Sequence, residues 1–271
     1  MASALPPRNH VDIWLCFESD VDVDLLRAYA PLLTDAERAK AARFYFPADR
    51  NRHVTSRALL RTVLPAYLGI PQRELRFLQD GFGRPHLGNP QARACALDFN
   101  LSHTAGLIAL AVTTEGPVGV DVENISYRQP AIELASRFFS PDEVTSLHAF
   151  SGAALDLQFY RHWTLKESYL KAYGVGLSLP LDRFGFRLAG QEADFYLASA
   201  VDGRADTMSP AHDADDWCFA QWRASPDHLL AVCLRSDATT RPVFKLIRVT
   251  PLVSAEMIEL SALCRSMHPN G

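Results

Sequence analysis

FYRHWTLKESYLKAYGVGL, running from Phe159 to Leu177, is the stretch from which the rest of the chain can be read. Its spacing predicts a helix that stops at Gly174 and Gly176. At 3.6 residues per turn, Trp163, Lys166, Glu167, Leu170 and Lys171 share one face, while Leu165, Tyr169 and Ala172 share another. The second face is ordinary core. The first mixes two lysines and a carboxylate with a tryptophan, where a packing helix would show solvent a plain charged stripe. The simpler account of that face is a surface i,i+4 pair of Glu167 and Lys171, contributing about 0.2–0.5 kcal/mol.

Upstream sequence argues for more than a surface pair. Val118-Gly119-Val120-Asp121-Val122-Glu123 alternates strictly, so Asp121 and Glu123 fall on one face of a strand and the valines on the other. Two carboxylates so placed repel each other unless solvated or bridged by a cation. An oxygen-only set of this kind suits Mg²⁺, which takes one or two carboxylates and keeps room for water and phosphate oxygens. The competing account is an edge strand showing water a charged face.

The remaining chain reads as alternating helices and strands. Val11 to Phe17 is a strand, and Thr34-x-x-Glu37 has the form of a capping box opening a helix through about Phe44. A helix over 49–68 places Arg50, His53, Arg57 and Arg61 at helical spacing, with Leu60, Leu64 and Leu68 toward a core. Gly81-Phe82-Gly83-Arg84-Pro85 is a loop. Residues 99–101 and 107–112 form a hairpin with Ser102 and His103 at its bend; no GxSxG surrounds them, which argues against a serine hydrolase. Ser140-Pro141-Asp142-Glu143 is a second capping box, which explains Glu143 structurally. Further strands are expected over 184–188, 217–222, 228–234 and 243–249, a polar loop over 201–216, and a surface helix over 254–267.

Composition bounds the function. The chain has 271 residues, 48% of them hydrophobic and 21% charged, which is enough for one large domain or two modest ones. A formal charge of −4 argues against a general nucleic-acid binder. Seven acidic residues and one basic lie between Asp12 and Glu37, and seven basic and one acidic between Arg38 and Arg61, an excess suited to a compact anion. Five scattered cysteines, none in a CxxC, fit reduced thiols in a cytoplasmic protein. No apolar run approaches the roughly 18 residues of a membrane span.

The two capping boxes belong to a repeat. Thr34 and Ser140 each precede an Arg-His-x-Thr and then an Ala-Tyr pair, Ala66-Tyr67 and Ala172-Tyr173, at 32 residues from the cap in both cases. Leu107–Val112 also corresponds loosely to Leu229–Leu234. Two similar α+β halves are expected, 1–115 and 116–271, with a ligand-binding cleft where they face each other.

At this point the residues carry a family. GVDVE at 119–123, followed 40 residues later by WTLKESYLKAYGVGL at 163–177, strongly resembles the paired signature of the 4′-phosphopantetheinyl transferases. The order of FGRP, FNLSH, GVDVE, RFFS and WTLKE is similar to the Sfp-like class, whose α+β fold joins two α/β subdomains by a pseudo-two-fold in one chain. The resemblance implies transfer of the phosphopantetheine arm of coenzyme A to a serine of an acyl or peptidyl carrier protein, with release of adenosine 3′,5′-bisphosphate. By motif it implies Asp121, Glu123 and Glu167 as Mg²⁺ ligands, and Lys166 and Lys171 facing the pyrophosphate. It implies Ser102, His103 and Arg84 near phosphates, and Lys40 and His53 near the adenosine 3′-phosphate, where Glu37 replaces a second lysine. Glu167 or a metal-bound water would take the serine proton. A Mg²⁺-dependent pyrophosphate hydrolase and a silent carrier-binding module are the rival readings. A monomer is expected, since one chain supplies both halves.

Overall fold

The computed structural model describes residues 5–81, 83–127, 131–174, 179–197, 216–236 and 241–266; Phe82, Gly176, the expected loop at 201–215 and Met267 lie outside them. In chain order the elements are β1 (His10–Phe17), α1 (Val23–Tyr29), α2 (Asp35–Ala41), α3 (Pro47–Leu68), β2 (Phe77–Gln79), β3 (Pro85–Leu87), α4 (Pro90–Ala94), β4 (Asp98–Thr104) and β5 (Leu107–Thr113). There follow β6 (Val118–Asn124), α5 (Ala131–Phe138), α6 (Pro141–Leu147), α7 (Gly152–Tyr173), β7 (Phe184–Ala189), β8 (Glu192–Leu197), β9 (Trp217–Ser225) and β10 (His228–Arg235). The last strands are β11 (Val243–Thr250), β12 (Ser254–Ile258) and β13 (Ala262–Ser266).

Two compact units result, Met1–Glu115 with Val243–Glu259 and Gly116–Pro242 with Leu260–Gly271. The first holds a sheet in the order β12-β11-β1-β5-β4, the second a sheet in the order β6-β10-β9-β13-β8-β7. A single division near residue 116 puts 243–259 in the second half. The chain instead returns them to the first, where β11 pairs parallel with β1 and β12 pairs with β11. The surface helix expected over 254–267 is replaced by β12 and β13, because pairing with β11 and β9 overrides local preference.

Both capping boxes form. Glu37 accepts from the Thr34 backbone at 2.8 Å and Glu143 from the Ser140 backbone at 3.0 Å, each with the reciprocal bond to the hydroxyl. Each unit then runs strand, capped helix, long helix and hairpin, with the first strand beside the second hairpin strand: β1 on β5, and β6 on β10. A shift of 106 residues superposes the buried faces of the long helices, Leu59, Leu60, Val63 and Leu64 of α3 with Leu165, Lys166, Tyr169 and Leu170 of α7. In the hairpins, the helix-facing positions are Ile108, Leu110 and Val112 in one unit and Leu229, Ala231 and Cys233 in the other. The correspondence read from sequence, Leu107 with Leu229, is thus one residue out of phase, which for a strand exchanges its faces.

Helix α7 packs on β6 at a distance only glycine permits. A Cβ on Gly119 would run into the Ser168 carbonyl oxygen and lie 2.5 Å from the Ala172 nitrogen, both of them α7 backbone. Gly119→Ala is therefore expected to destabilise by at least the upper part of the roughly 1–3 kcal/mol typical of overpacking. A denaturant midpoint equal to wild type would contradict this close approach.

Candidate active site

Period two sends Gly119, Asp121 and Glu123 to the α7 side of β6, so the carboxylates face a helix and not open water. Asp121 is 4% exposed. From α7, Lys171 reaches across to place its Nζ 2.6 Å from Asp121 Oδ1. The surface pairing of Glu167 with Lys171 is accordingly replaced by a bond between strand and helix.

The three carboxylates act on one another. Burial, then the Asp121 charge, pushes the Glu123 carboxyl from its ordinary 4.5 up to about 7, while Lys171 and a hydrogen bond from Trp163 oppose the rise and Glu167 adds to it. Burial, then Asp121, raises Glu167 as well, again against Lys171. A carboxyl whose folded pKa is raised binds its proton more tightly folded than unfolded. Its contribution is fully present below about pH 4.5 and is lost as pH rises through about 7. In metal-free buffer, the melting temperature of Glu123→Gln relative to wild type should climb between pH 5 and 8; parallel melting curves would contradict the shift.

Among the described residues, no three of His, Cys, Asp and Glu are gathered as a ready-made cage for a metal. The donor chemistry nonetheless fits a hard divalent cation that needs one or two carboxylates and fills its other positions from water and substrate. Asp121, Glu123 and Glu167 supply oxygen donors, and their mutual repulsion is the kind a cation relieves.

Lys166 is not brought to this cluster. Its ammonium is fully buried, 2.8 Å from Glu143 Oε2, and donates to the carbonyls of Leu181 and Phe184. It also lies 4.5 Å from the centre of the Phe184 ring. Although burial pushes the Glu143 carboxyl up, His162 and Lys166 overcome it and hold it below the usual range. Glu143 further accepts from the Phe186 backbone at 3.0 Å, so one carboxylate joins α6, α7 and β7. Lys166 thus sits about 100° round the helix from Glu167, on the core side. The signal lay in the repeat: a shift of 106 residues puts Lys166 on Leu60, a core position.

In the first unit, Lys40 and His103 are exposed and Ser102 is buried within β4. The hairpin turns after Thr104, so Ser102 and His103 lie in the strand and not at the bend. Arg84 pairs with Asp98 at 2.8 Å. His53 is buried against the Phe44 ring, and burial, then Arg57, lowers its pKa. Of the basic stripe, Arg61 is held by both oxygens of Glu37, at 2.8 and 3.1 Å. The Arg57 Nε is buried without a hydrogen-bond partner among the described residues, a cation the sequence placed in the stripe but did not single out.

The acidic cluster has no twin. The register and the helical shift put Trp14, Cys16, Arg61 and Pro65 of the first unit where the second has Asp121, Glu123, Glu167 and Lys171. Trp14, Arg61 and Pro65 instead border a cavity of about 350 Å³ closed in by Val249 and Pro251 to Val253.

Residues 117–233 match the 4′-phosphopantetheinyl transferase superfamily, and residues 22–115 match the family described as 4′-phosphopantetheinyl transferase, N-terminal. The chain is 38% identical over 153 residues to the 4′-phosphopantetheinyl transferase HetI of Nostoc sp., covering 56% of this chain and 64% of that relative, just under two thirds of its length. It is 32% identical over 198 residues to a 4′-phosphopantetheinyl transferase of Bacillus subtilis, covering 73% of this chain and 80% of that relative. It is 27% identical over 212 residues to the L-aminoadipate-semialdehyde dehydrogenase-phosphopantetheinyl transferase of Homo sapiens, covering 76% and 68%.

Proposed function

The chain belongs to the 4′-phosphopantetheinyl transferase superfamily, and from that membership we propose that it moves the 4′-phosphopantetheine group of coenzyme A onto a serine of an acyl or peptidyl carrier protein, releasing adenosine 3′,5′-bisphosphate. The observation that carries the reading is the bond between Lys171 of α7 and Asp121 of β6, with the Asp121 charge raising the pKa of both Glu123 and Glu167.

Breaking a pyrophosphate requires charge to be neutralised on both sides of the cleaved bond. Asp121, Glu123 and Glu167 are the residues we assign to hold Mg²⁺, which when bound would neutralise pyrophosphate oxygens and orient them. Lys171, already beside Asp121, is placed to donate to the leaving phosphate. Glu167 is also the group we assign to take the serine proton. Lys166 has no part in this scheme. Phosphate contacts in the first unit are assigned to Lys40, His53, Arg84, Ser102 and His103, and Arg57 is added for its unpartnered Nε.

The test is mass spectrometry of an apo carrier protein incubated with this protein, coenzyme A and Mg²⁺. Gain of one phosphopantetheine, abolished by chelation, is the expected result. Coenzyme A cleaved at the same rate without carrier would replace transfer by hydrolysis, and neither product would overturn both readings.

A further inference from the structure

We infer that Gly119 is a positioning residue for the cation site: carrying no side chain, it lets α7 close on β6 and so brings Glu167 and Lys171 to Asp121 and Glu123. The inference rests on the reading of those carboxylates as metal ligands and adds what sets their spacing. Gly119 stands two residues before Asp121, on the same face of β6. The α7 atoms that a Cβ there would meet are the Ser168 carbonyl oxygen, the Ala172 nitrogen at 2.5 Å and the Ala172 Cα at 3.1 Å. Ser168 directly follows Glu167, and Ala172 directly follows Lys171. The close approach of helix to strand therefore falls on the two turns that carry the helix's share of the site, and there Lys171 spans the gap to Asp121 at 2.6 Å.

The first unit shows the alternative within the same chain. The correspondence that puts Trp14 at Asp121 puts Asp12 at Gly119, and Thr62 and Ala66 at Ser168 and Ala172. Asp12 is 7% exposed and accepts from the Tyr67 hydroxyl of α3 at 2.6 Å, so a side chain stands between strand and helix. There α3 scarcely approaches β1, whereas α7 follows β6 closely. Thr62 and Ala66 line the cavity of about 350 Å³ that Trp14, Arg61 and Pro65 border. Packing alone does not ask for glycine at this position, since the first unit, with a carboxylate in it, keeps the same order of strand, helix and hairpin. What the second unit has besides is a site whose groups come from both elements. A misplacement of about 1 Å between such groups can cost about 10²-fold in rate.

The experiment compares wild type, Gly119→Ala, Asp121→Glu and the double variant, each as the full chain, with Leu147→Ala on α6 as a control for lowered stability alone. Mn²⁺ binding is followed by electron paramagnetic resonance without coenzyme A, and transfer by the carrier's gain in mass at saturating substrates and Mg²⁺. Both are read at a temperature where circular dichroism shows every variant folded. Gly119→Ala should weaken Mn²⁺ binding by about 10–100-fold, as for other groups that orient metal ligands, and lower kcat by about 10²-fold; Leu147→Ala should change neither. Asp121→Glu, whose carboxylate reaches one methylene further, should weaken binding in the wild type and strengthen it in the Gly119→Ala background, a reversal that lost stability does not produce. If Gly119→Ala does not fold, Ala172→Ser, which adds one oxygen to the same seam from the helix side, takes its place in the cycle. Wild-type Mn²⁺ affinity in the folded variant, or the same effect of Asp121→Glu in both backgrounds, would leave Gly119 a packing residue and overturn the inference. Full affinity and transfer in Asp121→Asn would remove the cation site itself, and the inference with it.

Discussion

Lys166→Met is expected to lower stability by about 3–5 kcal/mol, because it strands the Glu143 carboxylate as an uncompensated charge in the core of the second unit. Glu143 is 1% exposed, and its ionised form is held by Lys166, His162 and the amides of Ser140 and Phe186. Removing the charge at both ends, in Glu143→Gln with Lys166→Met, should cost less than the sum of the single changes, with a coupling of about 0.5–3 kcal/mol in the denaturant cycle. The cycle also decides between two roles for Lys166. Were its ammonium turned to phosphate, Lys166→Met would keep wild-type stability and lose transfer, and the cycle would show no coupling.

The second large effect is on chemistry. Asp121→Asn should cut carrier modification by roughly 10²–10³-fold, in line with the loss of other preorganised electrostatic groups. Stability should move the other way or not at all, since Asp121 is a source of the repulsion that raises Glu123 and Glu167, and the freed Lys171 side chain is 28% exposed and can turn to water. Near-wild-type transfer would remove Asp121 from the site. A matching fall in melting temperature would reassign it to the fold.

Much of the architecture was legible because it rests on local rules repeated twice. The capping boxes at Thr34 and Ser140, the glycine end of α7 at Gly174, and the alternation of β6 all depend on near neighbours. Elements whose identity depends on distant partners were not legible. Nothing near Ser254 or Ala262 announces strands; β11 and β9 make them so. The site divided along the same line. Period two fixed the side of β6 that bears Asp121 and Glu123. Assigning Lys166 and Glu167 to one face failed because a helical wheel does not say which of two adjacent positions a neighbouring carboxylate will draw inward. The requirement for glycine at 119 was likewise out of reach, since it comes from the α7 backbone some fifty residues away. Trp163, which the wheel put among the charged residues, packs instead on Phe138, Phe139 and Phe159.

The return of β11 to the first sheet also sets a schedule for the nascent chain. Strand β1 lies between β5 and β11, yet Val243 leaves the ribosome more than two hundred residues after Phe17. At the usual pace of synthesis that interval is on the order of tens of seconds. Throughout it β1 has one flank unpaired, and its sequence, HVDIWLCF, is the apolar kind of edge to which other chains add. The amino-terminal unit, made first, is therefore completed only after nearly all of the other has emerged, and its open flank is where a chaperone has most to protect.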